Sequence, residues 1–341
     1  MSIKRSALHF LKRCAALVLF GSIAAAPPLR AQNDSQVQPL DAMRALDGRV
    51  ATIGHRLAIA NVDLCADQIW LVGLTLHDLA QYGPDYRPAA IRAFGLDAGP
   101  GVLALAAGGP AERAGLRPDD VILGLDGEAP RQGDLPPGPS FARMEQILAL
   151  QERALADGIA TIDIRRGVTP MSFTLRAVRG CASRFQLIPS RQLNALADGR
   201  YVQITTAIGD YVADDGELAA VLAHELAHNI LRHRARLDAA GVQRGLLGNF
   251  GRNARLIRET ESEADRLSIY LLDRAGYDPE AAVRFWERFG RRGLNFIGSP
   301  THGNWRTRVA QFQAEITRVR SARAVGAVPV PDLPRRAEPA R

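Results

Sequence analysis

Residues 218–231 read LAAVLAHELAHNIL, and the meaning of the whole chain turns on them. Ala and Leu dominate the stretch, and neither Gly nor Pro interrupts it. Asp214-Asp215-Gly216-Glu217 just upstream supplies the acidic first turn that a helix dipole favours, so a helix is expected from Glu217 onward. On a helix His224 and His228, four residues apart, share one face and can present two imidazoles to a single ion. Glu225 follows at about 100° around the axis, within reach of a water that such an ion would acidify. A catalytic zinc needs a third protein ligand and an open fourth position. Arg258-Glu259-Thr260-Glu261-Ser262-Glu263-Ala264-Asp265 offers two facing pairs at helical spacing, Glu259 with Glu263 and Glu261 with Asp265. A carboxylate one turn from the ligand could orient a ligand histidine through its free ring nitrogen. Spacing does not choose between the pairs.

Outward from this helix, Phe185–Pro189 and Arg200–Thr206 alternate as strands do, with a turn at Asn194–Gly199. Residues 256–275 and 279–291 have helical periodicity and are separated by Gly276-Tyr277-Asp278-Pro279. The Arg- and Gly-rich stretch 234–255 is expected to be a loop or broken helix, and the Pro-rich tail from Val325 to be disordered. His233, nine residues past His224, would lie about 180° around a continued helix and face away from the ion. His55 and His77 lack partners at ligand spacing and are read as structural.

Residues 40–61 form a further helix by periodicity, and residues 66–180 read as a separate module. Within it, Gly101–Leu105 is a short apolar strand and Phe141–Ala156 a helix, and Ala160–Arg165 and Met171–Ala177 alternate as strands. Composition sets the limits. The chain has 341 residues, 47% hydrophobic and 23% charged, enough for about two domains. Its formal charge is +7, but Lys4, Arg5, Lys12, Arg13 and Arg30 fall in an acid-free first 31 residues, and without them 38 cations face 36 acids. The basic excess is therefore mostly an address, and nucleic acid is excluded as a partner. The uncharged run from Cys14 to Ala26 suits a signal peptide and is too short to span a bilayer, with cleavage expected after Ala31. Export leaves Cys65 and Cys181, an even pair flanking the module and a disulfide candidate.

Two resemblances add to this. Phe94-Gly95-Leu96, GVLAL at 101–105, GGPAERAGL at 108–116, DDVI at 119–122 and Asp126-Gly127 resemble a bacterial PDZ domain over about residues 90–178. Asp119 stands where such domains usually have Gly, and a Pro-rich insertion precedes the helix. The resemblance implies Phe94, Gly95 and Leu96 in a loop that holds a peptide carboxylate, and a groove between Val102–Ala106 and the helix around Met144–Leu148. HELAH followed by ESEADRLSIYLLDRAGYDP resembles the HtpX/BepA-like zinc metallopeptidases, a gluzincin family with an HExxH and an ExxAD motif, over about residues 185–315. It implies Glu261 as third zinc ligand, Asp265 behind the ligands, and NALADGRYVQITT leading into an edge strand beside the cleft, with Asp198 near a position where that family often has Pro-Gly. Ser299–Arg308 matches the same family through His302 and Arg308, with Gly303 in place of a Pro. On that likeness His302 is expected to cap the open zinc position at rest, and Arg308 to stabilise an oxyanion.

The expectation is an α+β chain: a mainly helical gluzincin-type peptidase with an inserted PDZ-like β domain. Its parts are a signal peptide (1–31), an N-terminal helical part (32–65), the PDZ-like domain (66–180), the metallopeptidase domain (181–323) and a disordered tail (324–341). Function is expected to be periplasmic zinc-dependent endoproteolysis, one Zn2+ per chain, with unfolded or misassembled proteins as substrates and C-termini taken by the PDZ-like groove. A PDZ-containing adaptor or chaperone with a closed protease site is the alternative. Of membrane contacts, only peripheral association is left open to the mature chain.

Overall fold

A computed structural model describes residues 29–96, 99–131, 133–242, 251–292 and 304–332, with side chains from residue 40 onward. The chain is α+β. A helical body consists of α1 (Leu29–Ala60), α6 (Asp215–Ile230), α8 (Gly251–Arg274), α9 (Glu280–Gly290) and α10 (Trp305–Ala324), with the short helices α5 (Thr206–Tyr211) and α7 (His233–Ala239). It carries a three-stranded sheet in the order β8 (Arg184–Ile188), β10 (Tyr201–Thr205), β9 (Ala195–Ala197). β10 is parallel to β8 and antiparallel to β9.

α6 is buried from Glu217 to Ala227 on every face, as a helix of almost continuous Ala and Leu must be when others surround it. Leu218, Leu222 and Leu226 lie in one core with Val50, Ile53 and Leu57 of α1 and Leu267 and Leu271 of α8. Each such side chain contributes about 1.5–3 kcal/mol by leaving water. Asp214 caps α6 by accepting from Glu217 N at 2.8 Å, while the Glu217 carboxylate accepts from Ala213 N at 2.9 Å. After Ile230 the helix ends. Arg232 adopts a left-handed conformation, φ +51°, and the chain turns into α7.

The inserted module is a five-stranded antiparallel sheet in the order β2 (Leu74–His77), β3 (Gly101–Leu105), β4 (Val121–Leu125), β5 (Ile159–Arg166), β6 (Thr169–Arg176). Helix α4 (Ala142–Ala154) closes it with Met144, Ile147 and Leu150, and α2 (Arg87–Phe94) and α3 (Pro110–Ala114) fill the connections. A ribbon of β1 (Gln68–Leu71) and β7 (Val178–Cys181) brings its two ends together, and a Cys65–Cys181 disulfide with Cα atoms 5.4 Å apart lies beside it. α1 serves both halves: it packs on α6 and β8, and its Thr52 hydroxyl accepts from Ala107 N of the module at 3.0 Å. α4 reaches the body as well, Glu145 accepting from Tyr201 Oη at 2.6 Å and Glu152 pairing with Arg184.

Two expectations are corrected here. Phe94, Gly95 and Leu96 do not form an open carboxylate loop: Gly95 is the left-handed C-cap of α2, and Phe94 and Leu96 are each 1% exposed in a small core. Nor can a ligand strand add to β3, because β2 covers one edge and the 120–122 segment the other, with Val102 N donating to Asp120 O at 2.8 Å. The outer strands of the sheet are β2 and β6, and of the two it is β2 that lines the groove beside α4. Between β2, α4, α1 and β8 runs a groove of about 880 Å³. Of the tail, residues 325–332 are described: Val325, Val328 and Val330 are exposed, Pro329 and Pro331 are buried, and Arg266 donates to Asp332 O at 3.2 Å.

Candidate metal centre

His224 and His228 project from the buried face of α6, and Glu261 meets them from α8, which packs along it. The two Nε2 atoms are 3.1 Å apart, with Glu261 Oε2 3.6 Å from the first and Oε1 3.5 Å from the second. A tetrahedral ion with bonds of 2.0–2.1 Å separates its donors by roughly 3.3–3.4 Å. The spacing thus fits such an ion, and two imidazole nitrogens with a carboxylate are among the donor sets of catalytic metal sites. Burial presses the His228 pKa well below that of a free imidazole, which keeps the ring neutral, the form a metal binds. Burial opposes a charge on His224 too, but hydrogen bonds to Asp265 and Glu261 outweigh it and lift its pKa to about 10. Anions that draw a proton to this spot would hold a divalent cation there more strongly.

The ligands are backed from behind. Asp265 Oδ1 lies 3.0 Å from His224 Nδ1, which leaves Nε2 for the ion. Arg308 of α10 grips Asp265 in turn, Nε to Oδ2 at 2.7 Å and Nη2 to Oδ1, and lies 3.5 Å from the ring centroid of Trp286 on α9. Both Asp265 and Arg308 are almost fully buried. Among the described residues, Arg308 Nη1 is buried without a hydrogen-bond partner and sits 3.9 Å from Glu261 Oε2. Glu225 is in the middle of α6, next to His224 and 9% exposed.

His224, His228, Glu261, Asp265 and Arg308 therefore converge on one place, and Glu225 follows His224 directly on α6. His302 lies outside the described residues. Glu259 is drawn off to Arg255, and Glu263 to His233 and Arg236. His233 is a correction. It does not face away: its Nδ1 is 2.9 Å from Nδ1 of His228, because α6 stops before it and the left-handed Arg232 swings it back. Sequence reasoning also passed over Asn229, whose side chain accepts from Gly199 N at 2.7 Å and donates to Tyr201 O at 3.1 Å, tying α6 to the β9–β10 turn. Its position directly after the second histidine, with nothing apolar to pack there, was the available signal.

A helix-borne pair of histidines with a glutamate between them, met by a carboxylate from a following helix, is the arrangement of a metallopeptidase centre. The sequence model for peptidase family M48 matches residues 179–247, and that for a PDZ domain matches residues 101–135. The chain carries an M48-type metallopeptidase domain and a PDZ domain. The mitochondrial metalloendopeptidase OMA1 of Schizosaccharomyces pombe is 34% identical over 122 residues, 29% of this chain and 36% of that protein. The beta-barrel assembly-enhancing protease of Yersinia pestis is 32% identical over 145 residues, 34% of this chain and 30% of that one. The Escherichia coli protein of the same name is 31% identical over 133 residues, 30% and 27%. The chain spans about a third of the length of these relatives.

Proposed function

We propose that this chain is an exported zinc-dependent metalloendopeptidase that cleaves unfolded or misassembled envelope proteins in the periplasm. The observation that carries the reading is the cluster of two Nε2 atoms 3.1 Å apart and the Glu261 carboxylate 3.5–3.6 Å from them, beside Glu225. Zinc held there supplies Lewis acidity to the scissile carbonyl and lowers the pKa of water. Glu225 takes the proton of the attacking water and returns it to the leaving amine. Asp265 and Arg308 keep His224 in the tautomer that presents Nε2. The family likeness supports β9 as the edge along which substrate is laid, and His302 as a group that closes the site at rest.

The groove bounded by β2 and α4 would take an extended segment or C-terminus by strand addition to β2. The acid-free basic N-terminus and its short apolar run support export. No helix among the described residues is long and apolar enough to cross a membrane. The groove, lying outside the metal cluster, also favours a second reading, an adaptor or chaperone whose protease site is normally shut. The deciding experiment is cleavage of an unfolded protein by purified mature chain with zinc, against Glu225→Gln. We expect Glu225→Gln to bind zinc in full and to lose about 10²–10⁴-fold in turnover. Equal cleavage by both proteins would refute the mechanism, and cleavage by neither, with zinc bound, would favour the adaptor.

A further inference from the structure

We infer that His233 is a positioning residue for the metal, the middle member of a hydrogen-bonded line His228–His233–Glu263 that fixes the tautomer of the second zinc ligand. The inference rests on the metalloenzyme reading and concerns residues that reading leaves unused. His228 directs Nε2 at its fellow ligands, 3.1 Å from His224 Nε2 and 3.5 Å from Glu261 Oε1. An imidazole that gives the lone pair of Nε2 to an ion carries its proton on Nδ1. That proton points at His233 Nδ1, 2.9 Å away. Two ring nitrogens at this distance share one proton, so His233 Nδ1 must accept and its own proton must sit on Nε2. There it meets Glu263 Oε2 at 2.9 Å. Arg236 fixes Glu263 in turn, Nη1 to Oε2 at 2.5 Å and Nη2 to Oε1 at 3.2 Å.

Every donor in the line thus has an acceptor, and only one arrangement of protons satisfies all of them with an ion bound. The opposite arrangement, with His233 donating to His228, would put the His228 proton on Nε2, where the ion must be. The two ligands are therefore supported differently. His224 leans on a carboxylate directly, while His228 leans on a neutral ring that is itself held by a carboxylate. His233 is 2% exposed, so no water can stand in for it without rearrangement.

The test measures zinc dissociation constants of metal-stripped protein by chelator competition, alongside melting of the metal-free chains. Asn places an amide oxygen close to where the His Nδ1 lies, whereas Leu fills the volume and accepts nothing. We expect His233→Leu to weaken zinc by about 10–100-fold and His233→Asn to stay within about threefold of wild type. Glu263→Ala, acting one bond further off, should weaken zinc by up to about tenfold. A purely structural role would move the Leu and Asn variants together, so equal zinc affinity in the two would overturn the inference, as would wild-type affinity in His233→Leu. If His233→Leu does not fold, the comparison of Asn with Glu263→Ala decides: wild-type affinity in Glu263→Ala, or a tenfold loss in His233→Asn, overturns it. A wild-type chain that does not bind zinc overturns the metal reading and this inference with it.

Discussion

At the scale of single residues, the site is held by one buried ion pair. Asp265 and Arg308 are both nearly solvent-free, and Asp265 serves the ligand His224 and Arg308 at once. Removing one partner of such a pair strands a charge in a medium that cannot solvate it. Asp265→Ala should therefore lower stability by about 3–5 kcal/mol and weaken zinc as well. Denaturant unfolding of the metal-free protein and zinc titration would show the two losses separately. That His224 and His228 share one face was legible in the sequence, because a four-residue spacing on a helix is a geometric statement. Glu261 was not legible from spacing, since Glu259–Glu263 satisfies the same periodicity; which pair faces α6 depends on how α8 is rotated against it. His233 was misread for a related reason: the 100° rule holds only while the helix continues, and no residue type at 231 or 232 announces the reversal.

Among the elements, the edge of the inserted sheet was assigned one strand too far along the chain. Gly101–Leu105 has the apolar pattern of a strand, but that same pattern marks it as internal, buried on a sheet with neighbours on both sides. The edge strand beside the groove, Leu74–His77, is only four residues long, too short for periodicity to register. Helix α6 was read correctly as an element, yet its attachment to the sheet runs through Asn229. Asn229→Ala would remove its buried bond to Ser183 Oγ, leave Tyr201 O with Asp198 N alone and hand the exposed Gly199 N to water. We expect a loss of about 1–2 kcal/mol in stability. Turnover should fall too while zinc affinity is kept, because the β9–β10 turn shifts but the ligands do not. Parallel activity and chelator measurements check this.

For the molecule as a whole, the two halves were visible as composition and motif, but the sharing of α1 between them was not. Nothing in residues 40–61 says that one face meets a metal-bearing body and another the strand β3. One consequence is chemical. Asp47 of α1 lines the groove between the halves, near Tyr82, and burial lifts its pKa to about 7. An unfolded Asp releases its proton near 3.9. Between these values the folded chain holds a proton that the unfolded chain has lost, so stability falls as pH rises from about 4 to about 7 and is flat above. Asp47→Asn should flatten that slope and raise the melting temperature at pH 8 more than at pH 5, by roughly 2–4 °C for each kcal/mol relieved. Calorimetry across the range reads it directly; the same rise at both pH values would mean that Asp47 does not titrate in this window.

The link between Cys65 and Cys181 spans 116 residues, and on a disordered chain a loop of that size would remove roughly 5 kcal/mol of entropy. This chain is not disordered between them. Gln68 and Cys181 are register partners in the β1–β7 ribbon, so while the ribbon stands the bond closes a loop of only a few residues and saves little. Its weight falls instead on partial unfolding. When the inserted sheet melts, the bond keeps the ends of the helical body in place; when the body melts, it keeps the base of the sheet closed. Each half can then open and re-form without a diffusive search for the other, and the effective concentration of the two halves is set by a covalent tether rather than by chance encounter.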